Sequence, residues 1–199
     1  MIIHDIKTNF KAGSAFLAYF FFDFKDAEKQ SSRALLTSLL VQLSDQSYTF
    51  RDVLLSLYFA HDQGSEQPTN DSLAECFKQM LMITEREPIY LIMDALDECP
   101  SDLGVPPSQE KVLKLVKELV ELRHPNLRLC ITSRPEFDIR AALQPLTTQQ
   151  ISLHDENGQL QDIVDYVTSV VYSDSKMKKW RDDEKNMVID KLTEKADGM

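Results

Sequence analysis

The chain has 199 residues, 43% of them hydrophobic, which is enough for one domain with a sizeable core and part of a second. Its 32 acids against 22 bases give a net charge of -10, and the densest basic stretch, Lys176 to Arg181, runs straight into acids, so nucleic acid and membrane are disfavoured as partners. Three cysteines, Cys76, Cys99 and Cys130, share no metal-ligand spacing and fit a reducing, cytoplasmic setting, while no apolar run approaches the roughly 20 residues of a membrane span.

In chain order, Met1 to Phe10 reads as a helix without a signal-peptide core. Ala15 to Phe24 is short, aromatic and almost continuously apolar, as a strand covered on both faces would be. Leu35, Leu36, Leu39, Leu40 and Leu43 then recur at helical spacing. A second helix, or a pair, covers Arg51 to Ala60, and the polar stretch His61 to Pro68 with Gly64 is a loop. Ser72 and Glu75 predict a capping box for a helix reaching about Thr84, closed by Pro88.

Ile89 to Met93 is a second apolar strand, stopping at Asp94. Apolar positions from 112 to 122 form a helix entered through Pro106, Pro107 and Ser108, and Pro125 separates it from a third strand, Leu127 to Thr132. Ile139 to Leu143 is a short helix, Gln149 to Leu153 a weaker strand, and Leu160 to Tyr172 a further helix. This alternation predicts an α/β domain over residues 1–173, a mostly parallel sheet with helices on both faces. Beyond Ser173 the composition turns polar, and Glu184 to Ala196 opens a helical subdomain spanning 174–199.

Chemistry in such sheets collects at the carboxyl ends of strands. Asp94, Asp97 and Glu98 crowd the end of the second strand. A carboxylate there suits Mg²⁺, which takes oxygen ligands and shares its shell with water and phosphate, and acids on the following loop suit a hydrolytic water. The third strand ends in Thr132, Ser133, Arg134 and Pro135, where a guanidinium offers paired donors to phosphate oxygens. Arg134 equally suits an ion pair with Asp97 or Glu98 that needs no ligand. If the two strands are neighbours, Arg134 sits beside Asp94.

The block Asp94-Ala-Leu-Asp-Glu98 resembles the extended Walker B motif of NACHT domains, and Ile131-Thr-Ser-Arg-Pro135 resembles their sensor arginine motif. The likeness extends to the aromatic strand Tyr19 to Phe24, the leucine-rich helix after it and Asp197-Gly-Met199. It is greatest to fungal NACHT proteins, including the nephrocystin-type N-terminal family. The resemblance implies a three-layer P-loop NTPase-like fold and a STAND-class switch, closed by ADP and opened by ATP, that oligomerises and signals in innate-immunity-like or incompatibility responses. Asp94 would orient Mg²⁺, Asp97 and Glu98 would handle the hydrolytic water, and Ser133 and Arg134 would meet the nucleotide. Flanking effector and repeat domains are the implied partners.

The chain departs from that family in one respect. None of its glycines, at 13, 64, 104, 158 and 198, precedes a Lys-Ser or Lys-Thr pair at the spacing of G-x-x-x-x-G-K-[ST]. The amide cradle and lysine that neutralise phosphates are therefore missing, so tight ATP binding by this chain alone is not expected. The family's first strand, which lies centrally between the strands read here at 127–132 and 149–153, would be missing too. The chain thus reads as the family's core cut after its phosphate loop, with a nucleotide-free interaction module as the alternative. No G-x-S-x-G elbow accompanies His4, His61, His124 or His154, which argues against an α/β hydrolase.

Overall fold

The computed structural model describes residues 2–9, 14–83, 87–101, 107–152 and 157–195. The expected helix end at Thr84, the turn residue Pro106, Leu153, and Asp197-Gly-Met199 lie outside them. Two compact units divide the chain, Met1–Thr147 and Thr148–Met199.

In the first unit the order is α1 (Ile2–Asn9), β1 (Phe16–Phe21), α2 (Ser32–Ser44), α3 (Tyr48–Ala60), α4 (Asn70–Ile83), β2 (Ile89–Asp94), α5 (Ser108–Glu121), β3 (Leu127–Ile131) and α6 (Phe137–Leu143). The strands form one parallel sheet in the order β1-β2-β3, which makes the fold α/β as its alternating pattern predicts. Register places Phe16, Ala18 and Phe20 beside Ile89, Leu91 and Met93, and these beside Leu127, Leu129 and Ile131. Strand side chains alternate, so all nine share one face. That face, with Leu35, Leu39, Leu40 and Leu43 of α2, Phe77 and Met80 of α4 and Val112 and Leu119 of α5, makes the core. Each such leucine contributes about 1.5–3 kcal/mol on burial. The opposite face carries Tyr19, whose ring lies 4.9 Å from Lys7 Nζ of α1 and whose hydroxyl accepts from that ammonium at 3.3 Å.

Two glutamines close the outer edge of β1. Gln42 accepts from Tyr19 N–H at 3.1 Å and donates to its carbonyl at 2.7 Å. Gln46 does the same for Leu17, at 3.0 and 2.7 Å. Four residues of helix rise about 6 Å and two of strand about 6.6 Å, so a pair at i and i+4 on α2 matches alternate residues of β1. The side-chain amides thereby stand in for a neighbouring strand on an edge that would otherwise template pairing. β3 has no such cover: Leu129 and Ile131 direct their backbone groups away from β2 and have no hydrogen-bond partner for them among the described residues.

Two local expectations need correction. α4 is capped by Thr69, whose hydroxyl accepts from Ser72 N–H at 3.1 Å, because the helix starts at Asn70 and Ser72 already lies in its first turn. Residues 149–152 form no strand; the segment is polar apart from Ile151, which is exposed, so it has no apolar alternation to bury.

The second unit pairs α7 (Asn157–Ser173) with α8 (Asp182–Lys195), and Val171 and Ile189 are buried there. Lys185 Nζ lies 4.9 Å from the Tyr172 ring centroid. α7 packs on α8 within this unit. No helix among the described residues is long and apolar enough to cross a membrane.

Candidate functional site

β2 is apolar through Met93, with Ile89, Leu91 and Met93 fully buried in the core, and it ends on the partly buried Asp94. Register sets Met93 beside Ile131, which brings Asp94, the last residue of β2, and Thr132, the first residue after β3, together. Thr132 N–H donates to Met93 O at 2.9 Å. The Thr132 hydroxyl donates to Asp94 Oδ1 at 2.5 Å and accepts from Ala95 N–H at 3.0 Å. Its carbonyl accepts from Leu96 N–H at 3.0 Å. One threonine thus uses every backbone and side-chain hydrogen-bonding group it has to hold the tip of β2.

Ala95 adopts φ 55 and ψ 49, the left-handed region. For a residue with a Cβ this costs about 1–2 kcal/mol. It turns the chain into the single 3-10 turn Leu96–Glu98, whose Leu96 side chain is fully buried. Strain held at such a bend is a common mark of functional loops.

Asp97 is enclosed, with only 8% of its side chain exposed. Its Oδ1 accepts from Arg134 N–H at 3.0 Å and its Oδ2 lies 3.5 Å from Arg134 Nε. The guanidinium itself is 81% exposed. Glu98 turns the other way and accepts Phe24 N–H on Oε2 at 3.1 Å. Asp94 Oδ2 and Glu98 Oε1 have no hydrogen-bond partner among the described residues.

The strand neighbours are therefore as the sequence predicts, but the residue beside Asp94 is Thr132, and Arg134 contacts Asp97 instead. Ser133 donates its hydroxyl to the carbonyl of Arg134 at 2.8 Å and so serves its own turn. Sequence reasoning passed over Thr132, although its place immediately after an apolar run, level with Asp94, was visible. It also passed over the loop after β1. A crevice of about 400 Å³ lies there, lined among others by Phe21, Phe24, Lys25, Lys29, Asp94 and Glu98. Lys29 hydrogen-bonds Asp26 at 3.1 Å, which pushes its ammonium up and the carboxyl down.

The cysteines stand apart from this chemistry. Burial pushes the Cys76 thiol up to about 11 and Cys99 up to about 12; Cys130 is raised by burial first and by the charge of Asp94 second. The described residues contain no group of three or more His, Cys, Asp or Glu able to hold a metal. A single carboxylate with one oxygen unpartnered nonetheless fits Mg²⁺ sharing its shell with water and phosphates, since that ion seldom uses an all-protein cage.

Known proteins bear on this geometry in one way. No curated protein and no solved structure matches the chain. Residues 1–134 match the family described as nephrocystin 3, N-terminal, a span that runs from α1 through both strand tips to Arg134. With more than half of its 199 residues matched, the chain belongs to the nephrocystin 3 N-terminal family.

Proposed function

We propose that the tips of β2 and β3 form the Mg²⁺- and terminal-phosphate-facing half of a NACHT-type nucleotide switch of the STAND class. The observation that supports this best is the clasp in which Thr132 holds Asp94 while Asp97 holds Arg134. In this reading Asp94 turns Oδ2 towards Mg²⁺, which would neutralise charge on the β and γ phosphate oxygens. Arg134 leaves its exposed pairing with Asp97 to meet the terminal phosphate, and Ser133 lies beside it. Asp97 and Glu98 share the handling of water; Glu98 has the free oxygen for that role, whereas Asp97 has both oxygens engaged. ADP and ATP would set closed and open states, with signalling by self-association and by flanking domains.

The phosphate cradle has no counterpart in these residues. A strand bearing G-x-x-x-x-G-K-[ST] has a place to pair, because β3 presents the unpaired backbone of Leu129 and Ile131. Joining such a strand and loop to this chain should confer Mg²⁺-dependent ATP binding, and Asp94→Ala should abolish it. Identical titration curves for the two proteins would remove Asp94 from the site.

A nucleotide-free interaction module is the second reading. It is favoured by the exposed apolar side chains Tyr48, Leu55, Tyr58 and Phe59 along α3. Self-association that persists in the Asp94→Ala and Arg134→Ala variants, with no nucleotide bound by any form, would support this module over the switch.

A further inference from the structure

The Leu96–Glu98 turn is tied unequally to its two sides. Towards β3 it is held through Asp94 to the Thr132 hydroxyl, Ala95 N–H to the same hydroxyl, Leu96 N–H to the Thr132 carbonyl, and Asp97 to Arg134 N–H. Towards the loop after β1, Phe22 N–H donates to Asp94 O where the strands still pair, and beyond them Phe24 N–H reaches Glu98 while the Cys99 thiol, just after the turn, donates to the Gln30 carbonyl at 3.7 Å. Gln30 fixes the other side of the Phe24 peptide, donating to the carbonyls of Phe24 at 2.6 Å and Asp23 at 3.3 Å. Asp97 and Glu98 are consecutive, so a rotation of this one turn that loosens one of their contacts moves the other.

We propose that the turn is a two-sided latch, in which release of the Arg134 segment from Asp97 is passed through Glu98 to the Phe24 loop. The Phe24 loop is the side that yields, because one carboxylate acceptor and the weak thiol donor of Cys99 hold it there while four hydrogen bonds anchor the turn to the residues ending β3. Its release opens the crevice and frees an aromatic ring that is already 63% exposed. A phosphate group is the chemistry that draws Arg134 away; this part of the proposal rests on the nucleotide reading of the site.

Amide hydrogen exchange on the 199-residue chain tests it. Phe24 N–H has Glu98 as its one acceptor, so its protection reports the latch. Glu98→Ala should speed Phe24 exchange about tenfold and leave Phe22, which is bonded to backbone, unchanged. Asp97→Ala should also speed Phe24 several-fold, although Asp97 does not touch it; should that variant fail to fold, Asp97→Asn takes its place. Wild-type exchange at Phe24 in the folded Asp97 variant overturns the latch. With Mg²⁺ and inorganic tripolyphosphate as the probe, faster Phe24 exchange alongside shifts at Arg134 supports phosphate-driven release. Shifts at Arg134 without it overturn that release. No shift at Arg134 overturns the phosphate reading of the site, and the Asp97 variants still decide the latch.

Discussion

Asp97 and Arg134, 37 residues apart in the chain, meet at neighbouring strand tips through a 3.0 Å bond from the arginine backbone and a 3.5 Å approach of its Nε. The two contacts are unequal. The backbone bond is made to an enclosed carboxylate, whereas the guanidinium stays in solvent, where an ion pair contributes at most about 1 kcal/mol.

Asp97→Ala should therefore cost about 1–3 kcal/mol by removing an enclosed, charged hydrogen-bond acceptor, and Arg134→Ala less than about 1 kcal/mol. Urea denaturation of both variants checks this. Equal losses would show that the guanidinium, and not the backbone, carries the contact.

Thr132→Val should remove the hydroxyl that joins Asp94 to Ala95 while keeping the shape of the side chain. The expected destabilisation is about 1–2 kcal/mol, with Thr132→Ser restoring most of it. If valine and serine behave alike, the hydroxyl does not hold the tip of β2.

Much of this fold was legible because its strands are short apolar runs ending in polar residues, as at Met93-Asp94 and Ile131-Thr132. The leucine stripe of α2 announced its buried face for the same reason. Gln42 and Gln46 were not legible, since their role depends on which helix lies along which strand edge, and a glutamine on a helix usually means solvent. Lys25 and Lys29 were missed because nothing local marks them; only the parallel pairing of β1 with β2 brings their loop to Asp94 and Glu98. The strand expected at 149–153 rested on two apolar residues, too few to define a buried face.

The double variant Gln42→Ala with Gln46→Ala should lose about 1–3 kcal/mol in net hydrogen bonding. It should also self-associate more readily, because the edge of β1 becomes a free template. Thermal unfolding and analytical ultracentrifugation read the two effects. Unchanged stability and an unchanged sedimentation profile would show that water replaces the glutamine amides at no cost.

Cys99 sets a pH dependence. Its thiol is raised from 9.0 to about 12 by burial, so above about pH 9 the unfolded chain loses a proton that the folded one retains. Stability falls with rising pH in that window, by at most about 1.4 kcal/mol per pH unit. The stability gap between wild type and Cys99→Ala should narrow between pH 9 and 11 in denaturant titrations. A constant gap would show that the thiol ionises equally in both states.

The central claim is that the β2 and β3 tips receive a metal-bound nucleotide, and Mn²⁺ titration of isotope-labelled protein followed by NMR tests it most directly, since paramagnetic broadening detects even weak binding. Expected is ATP-dependent broadening confined to residues 94–98 and 132–134 and lost in Asp94→Ala. Broadening elsewhere, or the same broadening in Asp94→Ala, contradicts the claim.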